Sequence, residues 1–320
     1  MRGRRKIIFI FLLACWMPLF GSPPKSYRIR KVGKSPNFIT LNSEARKLYA
    51  TSYNSDELLG IDLDKKVVTQ SVVVGEHPMG FAITDQGKTA LVACKDSGTV
   101  AIVDLETFRV IDEIKVGGFP NFVAMSPLGY RAYVTNYGRS REGQLHIIDT
   151  RERTISATLK IGSSPFGMAV SPVTELVYVV VGGNNEVWVV DPDRQAVIQK
   201  IPVGEAPDGI AITPDGKRVF VANSRTHDLS VIDTQLMKVL VTIPIGKSPF
   251  GVAASPDGKR VFVVNSDSRN VSIVPADLSS LDFETFDVEK GSTDIKVGTD
   301  NRTIYVVNEL TNSVLVTEVP

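Results

Sequence analysis

The chain has 320 residues, 43% of them hydrophobic and 22% charged, and a formal net charge of +1. That balance belongs to a folded globular chain and excludes disordered and low-complexity classes. Four basic residues (Arg2, Arg4, Arg5 and Lys6) open the sequence, and without them 32 basic residues face 35 acidic ones, which is not the basic footprint of a nucleic-acid binder.

Taken in chain order, this basic start leads into an apolar run at residues 7–20. At 1.5 Å per residue the run reaches about 21 Å, short of the roughly 30 Å of a bilayer core. Pro18 and the following Gly21-Ser22-Pro23-Pro24 also work against a persisting helix. The stretch reads as an export signal, so residues 1–21 are assigned to a signal peptide, 22–26 to a short linker and 27–320 to one domain. Two maturation routes stay open. One cuts near Gly21-Ser22; the other lipidates Cys15, because Leu12-Leu13-Ala14-Cys15 resembles a lipobox. An uncleaved anchor is a third. Cys94 is the only other cysteine. A lipidated Cys15 could not pair with it, so no intrachain disulfide is expected and the fold must rest on its core.

From residue 27 onward the sequence repeats. A Val/Ile-Gly pair recurs at Gly33, Gly75, Gly117, Gly162, Gly204 and Gly246, with Glu289 in the seventh slot. The steps are 42, 42, 45, 42, 42 and 43 residues, the long one carrying an insertion around Arg139-Ser140-Arg141. One such unit cannot bury its own apolar faces, so seven of them predict a seven-bladed all-β propeller of four-stranded antiparallel blades. In the clearest copy, alternation and turn residues place strands at 209–213, 218–223, 229–233 and 238–245. Pro214-Asp215-Gly216-Lys217 forms the tight turn between the first two, its Asp-Gly tolerating positive φ. The seventh unit stops after its third strand at 313–317, while residues 27–32 form an orphan strand before the first glycine. Pairing the two closes the ring and covers an edge that would otherwise invite aggregation.

Tyr133-Val134-Thr135-Asn136 in the third unit has relatives in Phe220-Val221-Ala222-Asn223, Phe262-Val263-Val264-Asn265 and Tyr305-Val306-Val307-Asn308. With the Ser/Thr-Pro-Asp-Gly-Lys turns and the Val/Ile-Ile-Asp strand ends, these motifs resemble the YVTN β-propeller repeat proteins across residues 27–320. The fourth unit departs with Tyr178-Val179-Val180-Val181, and the first and second carry Ser52 and Cys94 in the Asn slot. The resemblance implies the propeller fold and a surface-layer-like or periplasmic setting. It does not imply a chemistry, because one fold hosts many functions.

A repeat supplies its own control: what recurs in every blade serves the scaffold. The strand-ending Asp62, Asp104, Asp149, Asp191 and Asp233 are expected to cap the next turn with Asx-type bonds. The Asn row at 136, 223, 265 and 308 is expected to tie down the following loop. Ala82, Ala124, Ala169, Ala211 and Ala253 share one register on the innermost strands, where small side chains would let sheets approach.

Two features break the pattern. In blade 7 the Ala register holds Lys296, preceded by Asp294 in the Gly register. The pair is either a neighbour ion pair or a polar notch for a ligand anion. The loops between second and third strands also differ from blade to blade, and variable loops on a rigid frame concentrate function. The longest carries Tyr137, Arg139 and Arg141, a stacking ring beside anion-binding forks. His77, His227 and His146 show no metal-ligand spacing. Gly87-Lys88-Thr89 is a blade turn rather than a phosphate loop.

The leading expectation is an exported, non-catalytic binding scaffold and monomer. Its loop rim would engage a protein, glycan or small ligand, with no cofactor, no metal and no nucleic acid. Membrane contact is expected only through a lipid anchor. Two alternatives stay open. One is a lactonase-like or quinoprotein-dehydrogenase-like enzyme using Asp208, His77, His227 and Lys296 at the channel mouth; the other is a structural envelope component.

Overall fold

The computed structural model describes residues 26–42, 46–84, 87–138 and 142–319. Arg139, Arg141 and Cys15, together with the rest of residues 1–25 and the signal peptide expected there, lie outside the described residues. The described residues form seven four-stranded antiparallel sheets. In the first six blades the strands run in chain order from the axis outward, as in Pro207–Ile212, Arg218–Asn223, Asp228–Asp233 and Lys238–Pro244 of blade 5. The inner strand thus starts two residues earlier than its alternation indicates, at the proline.

Burial follows position in the blade. The two middle strands are sandwiched between neighbouring blades and are buried on both faces, so they read as continuous apolar runs such as Val177–Val181. The outermost strands alternate exposed and half-buried residues, as in Val67–Val73. The core is correspondingly split into seven clusters, one at each blade interface. Tyr178, Val180 and Val189 of blade 4 meet Val219, Val221 and Ile232 of blade 5 in one of them. Phe220 and Leu229 meet Val261 and Val274 in the next.

Ring closure is by the first strand. Ser26–Arg30 pairs antiparallel with Ser313–Glu318, with Tyr27 opposite Val316 and Ile29 opposite Val314. Ile29 and Val32 are fully buried in the blade 7–blade 1 cluster beside Ile39, Leu48 and Val314, and Arg28 bridges to Glu289. This is the closure expected from the orphan strand.

The Asp row behaves as Asx chemistry requires. One carboxylate oxygen accepts the backbone N–H groups two and three residues on, at 3.0 and 2.8 Å for Asp62 and 2.9 and 2.8 Å for Asp233. These backbone donors hold the Asp62, Asp104 and Asp149 carboxyls below the usual range. The Asn row is less uniform. Asn308 does tie down the following loop, accepting from Leu310 and Thr311. Asn136 instead secures the preceding one: it accepts from the Phe119 N–H and donates to the carbonyls of Val116 and Gly117.

The Ala register needs a correction. Ala82 and Ala211 do face the next blade while Phe81 and Ile210 face the previous one. In blades 2, 4, 5 and 6, however, a close backbone approach is made two residues earlier, at Gly80, Gly167, Gly209 and Gly251, a slot that holds Phe38, Phe122 and Asp294 in the other three blades. A Cβ on Gly209 would lie 1.7 Å from the Phe250 carbonyl oxygen, and one on Gly251 2.5 Å from that of Thr293. No side chain fits where two backbones meet so closely.

Candidate functional site

Each inner strand carries an irregularity near its start, just after a proline in six blades and after Ser292 in the seventh: the register skips between Pro36 and Phe38, Pro78 and Phe81, Pro207 and Ile210, Pro249 and Val252, and Ser292 and Ile295. A bulge at this point re-aims a side chain. The residues that follow the proline are Asn37, Met79, Asn121, Phe166, Asp208 and Phe250, with Thr293 in the seventh slot. Preceded by proline in six blades, this slot holds Asn twice, Phe twice and three further residue types.

A second variable ring sits above it, one residue past the Asn slot: Tyr53, Lys95, Tyr137, Gly182, Ser224, Ser266 and Glu309. In six blades the backbone N–H of this residue donates to the carbonyl of the residue just before the inner strand, as in Tyr53 to Ser35, Lys95 to His77 and Ser224 to Ala206. The bond clips the two rim loops of each blade together. The two variable rings are therefore held on a rigid frame.

Together they enclose a funnel on the axis. One lobe, of about 420 Å³, is lined by Asn37, Tyr53, Met79, Lys95, Phe166, Phe250, Thr293 and Glu309. Another, of about 570 Å³, is lined by Asp208, Ser224, Arg225, Ser248, Phe250, Ser266, Thr293 and Glu309. Phe250, Thr293 and Glu309 border both lobes. The floor is aromatic. Phe122, Phe38, Phe166 and Phe250, from blades 3, 1, 4 and 6, form in that order a chain of rings with centroids 5.6, 6.2 and 5.7 Å apart. Edge-on and tilted packing of this kind is favourable between aromatic rings.

Burial sets the electrostatics of the mouth. It raises the carboxyl of Asp208, with the Ser224 hydroxyl opposing the rise, and it raises that of Glu309. It also pushes the Tyr137 phenol up to about 12, the charge of Asp208 adding to the effect. Tyr137 lines a smaller recess of about 370 Å³ with Gly138, Ser163 and Ser164.

The remaining sequence candidates are dispersed. Lys296 lies beneath the aromatic floor with Asp294, beside a cavity of about 70 Å³ whose lining shares Phe38, Phe166, Phe250 and Asp208 with the funnel. Its ammonium donates to both Asp294 oxygens at 3.0 and 2.9 Å and to the Ile295 carbonyl at 3.2 Å, which engages all three of its donors. Asp294 also accepts the Ile39 N–H at 3.0 Å, stitching blade 7 to blade 1 at the axis. His77 stacks on Tyr53 at 4.3 Å and places Nδ1 2.5 Å from Asp96. His227 is exposed and accepts the Ser248 N–H at Nδ1, 3.2 Å away. Cys94 is buried, and burial pushes its thiol up to about 12. Among the described residues no group of three or more His, Cys, Asp or Glu is placed to hold a metal ion.

Sequence reasoning reached Tyr137 and Asp208 but passed over Phe166, Phe250, Tyr53, Lys95 and Glu309 as individual residues. The signal was present: the slot after the inner-strand proline breaks the repeat in every blade. Its orientation depends on the bulge, which residue spacing does not reveal.

Comparison with known proteins agrees with this architecture. A YNCE-like beta-propeller family model matches residues 173–260, from the end of blade 4's inner turn into blade 6. Over 189 residues the chain is 25% identical to Protein NirF of Pseudomonas aeruginosa, an alignment covering 54% of this chain and 47% of that protein. The chain thus spans about half the length of this curated relative. Among solved structures, hydrazine synthase of Kuenenia stuttgartiensis superimposes with a TM-score of 0.81 at 22% identity, over 89% of this chain and 96% of that one; this likeness concerns the fold alone. Seven blades, six of them clipped at the rim, the Tyr-Val-Thr-Asn strand end of blade 3 and the YNCE-like match support the resemblance to β-propellers of the YVTN type.

Proposed function

We propose that the protein is an exported binding scaffold whose axial funnel receives a small ligand. The observation that carries the reading is convergence: two rings of residues that break the repeat meet at one mouth, over a floor formed by Phe166 and Phe250. Lobes of about 420 and 570 Å³ have the size of small-molecule sites, and an apolar floor with a few polar groups is their usual chemistry. Tyr137 borders a separate recess of the rim, and the Arg139 and Arg141 insertion follows it in sequence, which supports a larger protein or glycan as a further partner. Export rests on the basic start and the apolar run at residues 7–20.

Native mass spectrometry of the protein purified from its source tests the reading. The expected mass lacks the first residues of the chain and exceeds the bare polypeptide by that of a ligand, which is released on unfolding. The extra mass is expected to disappear from a Tyr53→Ala/Glu309→Ala variant. A bare chain in the wild-type protein would overturn the ligand-binding reading. Labelling with a palmitate analogue, compared with Cys15→Ala, decides between lipid anchoring and release.

A further inference from the structure

The wall of the larger lobe is chemically lopsided. Asp208 and Glu309 both line it beside Phe250, and both are only partly exposed. Among the described residues, no lysine, arginine or histidine forms a salt bridge with either. Arg225 stands on the same wall but is exposed and bridges neither carboxylate. Lys95 lines the smaller lobe, which Glu309 also borders, but its ammonium lies over the Tyr53 ring at 5.8 Å and bridges neither carboxylate. Elsewhere at the axis the chain does neutralise a buried carboxylate, binding Asp294 with Lys296. Lys296 also borders the small cavity that Asp208 lines, but its ammonium is engaged by Asp294 and Ile295, and neither funnel carboxylate has a bridging partner among the described residues.

A partly desolvated carboxylate without a counter-charge favours an incoming cation, because the charge has already lost water that the cation can replace. An aromatic face next to it favours a cation carried on an apolar body over a hydrated metal ion. We propose that the funnel selects an organic amine whose cationic nitrogen meets the wall of Asp208 and Glu309 and whose apolar part lies on Phe250 and Phe166. The proposal rests on the reading of the funnel as a ligand site and adds the chemical class of the ligand. The ring of hydroxyls from Ser224, Ser248 and Ser266 is suited to the remaining N–H donors of a primary amine, since each hydroxyl can accept as well as donate.

The test uses three probes of one shape. Phenethylamine, phenethyl alcohol and phenylacetate are titrated calorimetrically into the full chain. The amine is expected to bind about tenfold more tightly than the alcohol, the worth of one charge-assisted hydrogen bond, with phenylacetate weaker than both. In an Asp208→Asn/Glu309→Gln variant of unchanged unfolding temperature, amine and alcohol should bind alike. Best binding by phenylacetate overturns the proposal, as does an amine preference that survives both substitutions. Equal binding of amine and alcohol to the wild type overturns it while leaving the funnel a ligand site. Absence of binding by all three overturns it too, and the broader reading then falls only if the protein from its source also carries no ligand.

Discussion

His146 shows how a single residue can be reassigned by its surroundings. It sits in the third strand of blade 3 at the position held by Ser230 and Ser272 in blades 5 and 6, where those serines accept from Asn223 and Asn265 at 2.9 Å. His146 takes over that role, with Nε2 3.1 Å from the Asn136 amide and Nδ1 2.9 Å from the Thr158 hydroxyl. It is 4% exposed, and burial lowers its pKa to about 4. The neutral ring is therefore the folded-state form, and the unfolded chain binds the extra proton first. Stability from this site is complete above the unfolded value of 6.5 and is lost as pH falls toward 4. The expected loss is about 3 kcal/mol, read as the difference in urea-unfolding free energy between pH 7 and pH 4 for wild type and His146→Ser. Parallel pH profiles for the two proteins would sink this account. The Asp row, by contrast, was legible at the residue scale, because an Asx bond reaches only two or three residues along the chain.

At the scale of the element, the inner strand does most of the positioning. In six blades a proline marks its start, in all seven a bulge turns one side chain to the axis, and in blades 2, 4, 5 and 6 a glycine lets the next blade dock. Alternation alone assigned the docking to the Ala register, since small residues recur there. Close approach is decided by distance between backbones, and it falls two residues earlier on the same face. Gly209→Ala tests this: φ at Gly209 is ordinary, so the substitution reports space rather than strain in the backbone. With the new methyl directed at the Phe250 carbonyl, the expected cost is about 3 kcal/mol, the upper end for overpacking, measured by chemical denaturation. Ala211→Gly, two residues on, should cost only about 1 kcal/mol. A reversal of that order would return the docking role to alanine.

For the whole molecule, the ring depends on a strand brought from the far end of the sequence. Deleting residues 27–32 removes Ile29 and Val32 from the closing cluster and exposes the edge of Ser313–Glu318. The expected result is a loss of more than about 3 kcal/mol with unfolding that remains a single step, seen by circular dichroism and calorimetry together. An unchanged melting temperature would mean that blade 7 stands without its fourth strand. The sequence alone determined the number of blades, their strand pairing and the closing strand, since each follows from spacing repeated every 42 residues or so. Only the tertiary structure decided where a ligand site could be. The funnel gathers residues from Asn37 to Glu309, and they become neighbours only when seven bulged strands converge on one axis. The physical reason is that a repeat fixes local geometry within each blade, whereas the mouth is a property of the closed ring.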